Sequence, residues 1–394
     1  MLRTLTRCST RLPRFSVPPP RNYLFRPIFT KGIFSGNDEP AAAAPEPPRA
    51  PSPSTKIEKL LLDSIKATGP LPFSTYMQMC LSHPTHGYYT NPEHEVFGRQ
   101  GDFITSPEIS QVFGELLAVW LISQWMDKGL PPIRLVELGP GRGTLMEDVL
   151  RVFAQLDAVK SHLTQVHLVE TSLTMRALQQ ERLAPRSTAM GFRLDWYDSI
   201  YDIKDSPDEY TMLIAHEFFD ALPIHLLQKS QQGWHEVLVA SQEYAAQQQA
   251  NSTSTSTTPK YPFHRVLTPT PTPISSILGS SSPRFQTIPE GGQLEVSPFA
   301  FRMARQVGFL LSQNRVGGAG LIIDYGGDNC FGDSFRAFKD HKLADVFEQP
   351  GECDLTANVD FAYLKESMAD LVTPHGPLPQ GEFLESMGLG IRLK

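Results

Sequence analysis

Apolar residues recur at helical spacing from Lys56 onward. Ile57, Leu60, Leu61 and Ile65 predict a helix over Lys56 to Thr68, and a second is expected at about Phe73 to Ser82. A polar, turn-rich stretch follows and ends in GRQGDFITSPEIS. Its Ser106 and Pro107 read as an N-cap and first-turn proline before a long apolar helix, Glu108 to Met126. Beyond it the pattern changes to short apolar runs alternating with amphipathic stretches, as a parallel sheet with crossover helices requires. Strands are expected at Ile133 to Leu138, Gln165 to Val169, Phe192 to Leu194, Met212 to Ala215 and Gly320 to Asp324. Helices fall at about Thr144 to Lys160, Ser172 to Leu183 and Pro298 to Gln313. Two further apolar stretches, Ile224 to Gln228 and Trp234 to Ala240, read as a hairpin added to the sheet. A short helix is expected at Ala362 to Met368, and the chain stops at GLGIRLK with no evident closing element.

The expected fold is therefore α/β, with an N-terminal helical segment over 56–130 and a core over 131–394. The low-complexity run AAQQQANSTSTSTTPK, about 244–260, reads as a solvated loop inside that core. Ahead of the fold, residues 37–55 are Pro- and Ala-rich and read as a linker. Residues 1–36 carry Arg3, Arg7, Arg11, Arg14, Arg21, Arg26 and Lys31 but no acid, the composition of a mitochondrial transit peptide. Without those seven positive charges, 28 basic residues face 42 acidic ones, a balance of about −14. Such a surface disfavours nonspecific nucleic-acid binding and suits a basic protein partner. The four cysteines form no C-x-x-C pair, so neither a disulfide framework nor a metal knuckle is expected. No run of about 18 uncharged apolar residues offers a membrane-spanning helix.

The chemistry concentrates in VELGPGRGTLMEDVL, from Val136. Gly139, Gly141 and Gly143 lie between a strand and a helix, where backbone N–H groups and the helix N-terminus face a ligand. A dinucleotide turn needs G-x-G-x-x-G, and here Thr144 stands at the last glycine's place. A GxGxG turn after an acidic strand end, Glu137, instead fits the S-adenosylmethionine site of class I methyltransferases, since a carboxylate suits a sulfonium and repels a pyrophosphate. The next strand ends in Glu170, placed to accept both ribose hydroxyls. The third strand runs into LDWYD, where Asp195 is expected to accept from the adenine amine and Trp196 to cover the ring. Asp102 precedes the helix entry and is a further cofactor candidate. At the end of the fourth strand, AHEFFDALP supplies Glu217 and Asp220 to grip a cationic acceptor, with His216 as proton acceptor. Glu108, Glu295, Asp324 and Tyr325 are weaker candidates at ends of neighbouring elements.

Six segments in order, GDFITSPEISQVFGELLAVW, LVELGPGRGTLMEDVLRVF, VHLVETS, AHEFFDALPIH, LIIDYG and GECDLTANVDF, closely resemble the MidA-like methyltransferases. These are mitochondrial protein arginine methyltransferases that act as complex I assembly factors. The resemblance implies a class I, Rossmann-like S-adenosylmethionine-dependent fold in the mitochondrial matrix. It further implies symmetric dimethylation of an arginine in a core quinone-module subunit of complex I. A non-catalytic assembly factor that keeps the fold is the alternative.

Overall fold

The computed structural model describes residues 54–91, 105–244 and 260–393. The leader, the linker through Pro53, Asp102 and nearly all of the 244–260 loop lie outside them.

Helix α1 (Lys56–Thr68) starts at Thr55, whose hydroxyl accepts the Glu58 N–H at 2.9 Å, and buries Ile57, Leu61 and Ile65. The short β1 (Leu71–Pro72) leads into α2 (Phe73–Ser82). The single helix expected from Glu108 is two helices, α3 (Ser106–Ile109) and α4 (Gln111–Met126). Ser110 is the break: its backbone is extended at φ −156°, and its hydroxyl accepts the Val112 N–H at 3.2 Å, capping α4. Ser106 is not the cap; Thr105 holds that position and makes no side-chain bond there.

The parallel sheet is built as expected by alternation: β2 (Ile133–Leu138), α5 (Thr144–Gln155), α6 (Asp157–Lys160), β3 (Leu163–Val169), α7 (Leu173–Met190), β4 (Arg193–Tyr197) and β5 (Tyr210–His216). The helix expected from Thr144 to Lys160 breaks at Leu156, which adopts an extended conformation. The chain then leaves this sheet. Strands β6 (His225–Ser230), β7 (Gly233–Ser241), β8 (Phe263–Leu267) and, after α8 (Pro273–Gly279), β9 (Gln293–Val296) form an antiparallel sheet that also takes in β1. The expected hairpin exists as β6–β7, but it belongs to this second sheet rather than extending the parallel one.

Helix α9 (Pro298–Ser312) returns the chain to β10 (Gly318–Ile323), completing the parallel order β10-β5-β2-β3-β4. A pair, β11 (Gly326–Gly327) with β15 (Val359–Asp360), and a three-stranded sheet of β12 (Arg336–Lys339), β13 (Lys342–Ala344) and β14 (Asp354–Thr356) follow. Helices α10 (Phe361–Met368), α11 (Gln380–Ser386) and α12 (Leu389–Arg392) end the described chain. The C-terminal residues dock back on α4: Phe383 meets Trp120 edge-on, and Arg392 donates to Glu115 at 2.7 Å.

Among the described residues four apolar clusters hold these layers, the smallest of them packing Trp234, Leu278 and Phe285 with Tyr363. One joins α4 and α5 to one face of the parallel sheet, and another joins α9 and α10 to the opposite face. A third joins α1 and α2 to the antiparallel sheet and to Phe335, Phe347 and Leu355. The 56–130 segment is thus shared between two cores. All six residues of β2 are buried, each large aliphatic contributing about 1.5–3 kcal/mol. Strands run away from β2 on one side to β3 and on the other to β5, so the carboxyl ends of β2 and β5 flank the switch point where ligands enter such sheets.

Candidate active site

A cavity of about 1270 Å³ opens at that switch point. Pockets for drug-sized ligands are roughly 300–1,000 Å³, so there is room for a nucleoside cofactor and a substrate side chain together. Its lining holds two chemically distinct groups of residues.

In the first group the chain passes from β2 through the glycine turn. Gly139, Gly141 and Gly143 have φ of 63°, 52° and 77°, in the left-handed region that side chains resist. The Gly139 N–H donates to the Val169 carbonyl at 3.0 Å, tying the turn to the end of β3. Glu137 lines the cavity below this turn, is 2% exposed, and has one carboxylate oxygen with no partner among the described residues. Burial pushes its carboxyl up to about 8. An orphaned carboxylate in a cradle of bare backbone fits a cationic ligand. Glu170, at the end of β3, accepts the Ser172 N–H at 2.8 Å, and burial raises its carboxyl as well.

The second group is His216, Glu217, Phe218 and Asp220, on and just beyond β5 and beside the turn, which line the cavity with Tyr325, Arg336 and Thr356. Glu217 adopts φ +48°, a conformation that costs a non-glycine residue about 1–3 kcal/mol. Burial, with Asp220 and Glu108 nearby, pushes its carboxyl up to about 7, and the Tyr325 hydroxyl donates to it at 3.4 Å. Asp220 accepts the Thr356 hydroxyl at 2.9 Å through one oxygen, while the other is buried without a partner among the described residues. Burial raises this carboxyl too. His216 packs its ring on Phe113, 5.1 Å between centroids, and burial lowers it to about 4, so the imidazole is neutral.

A family profile described as S-adenosyl-L-methionine-dependent methyltransferase matches residues 116–378. This chain belongs to that family. It is 39% identical over 387 residues to the protein named "Protein arginine methyltransferase NDUFAF7, mitochondrial" from Homo sapiens, covering 93% of this chain and 79% of that one. It is also 39% identical over 379 residues to the homologue of that name from Drosophila melanogaster, covering 89% and 80%. Among solved structures, a COG1565 superfamily member from Burkholderia thailandensis, crystallised with S-adenosyl-homocysteine, aligns with a TM-score of 0.66 at 25% identity. That alignment covers 86% of this chain and 82% of the other.

The methyltransferase fold gathers Glu137, Gly139, Gly141, Glu170, His216, Glu217 and Asp220 around one cavity. Gly143 stands behind it, at the N-cap of α5. Asp195 and Trp196 do not line it. They are inside β4 rather than past its end, because β4 pairs with β3 as far as Val169 and Tyr197. Asp195 is taken up by Arg193, 2.8 Å away, and Trp196 donates to Gln179 at 2.8 Å; Asp198 and Ser199 come to the cavity instead. Glu295 is a buried bracket for the Ser334 and Phe335 N–H groups, both at 2.8 Å. Glu108 and Tyr325 do line the cavity.

Gln179 escaped the sequence reading. Fully buried on α7, it donates to the Gly141 carbonyl at 2.6 Å and to Glu170 at 3.4 Å. A single glutamine on a helix carries no motif, and only the packing of α7 against the turn reveals it.

Proposed function

We propose that this methyltransferase acts on an arginine of a client protein in the mitochondrial matrix. The client is a core quinone-module subunit of respiratory complex I, and the product is symmetric dimethylarginine. The names of the relatives support the arginine and the mitochondrion. The observation that carries the reading is that two buried carboxyls, those of Glu217 and Asp220, line the same cavity as the glycine turn. A guanidinium is always charged and presents planar donors, so carboxylates are the side chains suited to hold it.

Bound S-adenosyl-L-methionine supplies the methyl carbon, with its sulfur as leaving group, for an in-line displacement. The glycine turn would let backbone approach the cofactor, Glu137 would offer its orphaned carboxylate to the cationic part, and Glu170 would accept from the ribose hydroxyls. Glu217 and Asp220 orient the guanidinium so that one nitrogen points at the methyl group. That nitrogen must shed a proton as the new bond forms. Glu217, pushed up to about 7, is matched to accept it near neutral pH, whereas His216 at about 4 is too weak a base. His216, its ring on Phe113 and its Nε2 3.5 Å from a Glu217 oxygen, stands beside that carboxyl, and Glu217 takes the role of proton acceptor in this reading.

The test is to incubate the purified chain with methyl-labelled S-adenosyl-L-methionine and the client subunit, then map label by mass spectrometry. Dimethylarginine on the client is expected. Cofactor binding with no labelled arginine would instead favour the non-catalytic assembly factor.

A further inference from the structure

The turn that carries Glu217 and Asp220 is organised by a side chain from a different strand. Three consecutive N–H groups, those of Phe218, Phe219 and Asp220, converge on a single oxygen of Asp324 at 3.2, 2.9 and 3.3 Å. The other oxygen accepts the Tyr325 N–H at 2.9 Å. Successive backbone N–H groups aimed at one point form an anion-binding nest, and here the chain fills its own nest with a carboxylate. The residue entering the nest is Glu217, with φ +48°, and its N–H donates to the Ile323 carbonyl at 2.9 Å. The strained residue is thereby held on both sides, by β10 before the turn and by Asp324 across it.

We infer that Asp324 is a positioning residue for the acceptor-holding residues of the site: by collecting three N–H groups it fixes the backbone from which Glu217 and Asp220 reach the guanidinium. This rests on the arginine reading above. Asp324 itself is absent from the cavity lining, so its effect passes through the two carboxylates. The glycine turn has ties of its own, through Val169 and Gln179, and meets the nest at the Phe218 ring, which lies against Gly139.

The test compares wild type, Asp324→Ala and Asp324→Asn, measuring cofactor affinity by calorimetry and the steady-state constants for an arginine-containing client peptide. Asp324→Ala removes the collecting oxygen and is expected to lower kcat/KM for the peptide by about 100-fold, as a displacement near 1 Å does, with cofactor affinity within about threefold of wild type. Asp324→Asn keeps one oxygen acceptor and is expected to recover most of the loss. If the alanine variant does not fold, the asparagine variant still reports, through a raised KM for peptide at unchanged cofactor affinity. Peptide kinetics unchanged in the variants, or cofactor affinity falling in step with them, would overturn the inference. Wild type that methylates no arginine peptide would overturn the arginine reading and this inference with it.

Discussion

The side-chain amide of Gln179 donates to the carbonyl of Gly141 at 2.6 Å, and its oxygen accepts the indole N–H of Trp196 at 2.8 Å. One buried side chain thus ties the middle of the glycine turn to the edge strand β4, and through its 3.4 Å bond to Glu170 it touches the acid at the end of β3 as well. Replacing Gln179 by Leu leaves a buried carbonyl and an indole N–H unpaired, a penalty of about 1–3 kcal/mol for each buried group. Cofactor affinity in Gln179→Leu should fall by about tenfold or more by calorimetry. Trp196→Phe, which removes only the indole donor, should show a smaller loss.

Gly139 faces a stricter limit. A Cβ there would stand 2.8 Å from the ring of Phe218, at a φ of +63°. Gly139→Ala should therefore push Phe218 from its place and weaken cofactor binding at least about tenfold, since the backbone must shift as well. A variant that binds as well as wild type in a titration would remove the close approach of this turn from the account.

The buried Glu137 predicts a pH dependence with a definite sign. Its carboxyl titrates near 8 in the folded chain, above the ordinary value, so below about pH 8 it is neutral in the empty site. A cationic ligand favours the ionised form, so affinity for the cofactor should rise with pH toward about 8 and level off above it, by at most tenfold per pH unit. For stability the sign is opposite. Between the unfolded value near 4.5 and the folded value near 8, the folded state holds the extra proton, so Glu137's contribution to stability declines as pH rises through that window. Glu137→Gln should flatten both slopes, which calorimetry and denaturant melts from pH 6 to 9 can read.

What the sequence made legible was what is local. The glycine turn and β2 needed only an apolar run followed by glycines, and the acids at the ends of β2, β3 and β5 follow from where each strand stops. The break at Ser110 was hidden because the apolar pattern runs straight through it, while the actual signal is a serine whose hydroxyl serves the next helix. Asp195 and Trp196 were misplaced because the length of an edge strand is set by its partner: β3 carries β4 on to Tyr197. The hairpin was visible as an element, yet nothing in its residues says which sheet it joins. The role of Asp324 depends on three N–H groups more than 100 residues away, a relationship no local pattern encodes.

Glu217 holds the guanidinium and takes its proton in the proposed reaction, so one substitution there probes both roles. Glu217→Gln keeps the shape of the side chain but removes its charge and its capacity to take a proton. The measurement is calorimetric affinity for S-adenosyl-L-methionine alongside the rate of methyl transfer to an arginine-containing client. Affinity is expected to stay within about twofold of wild type and the rate to fall by about 10²–10⁴, the span usual for loss of a general base. A transfer rate equal to wild type, with the cofactor still bound, would contradict those roles.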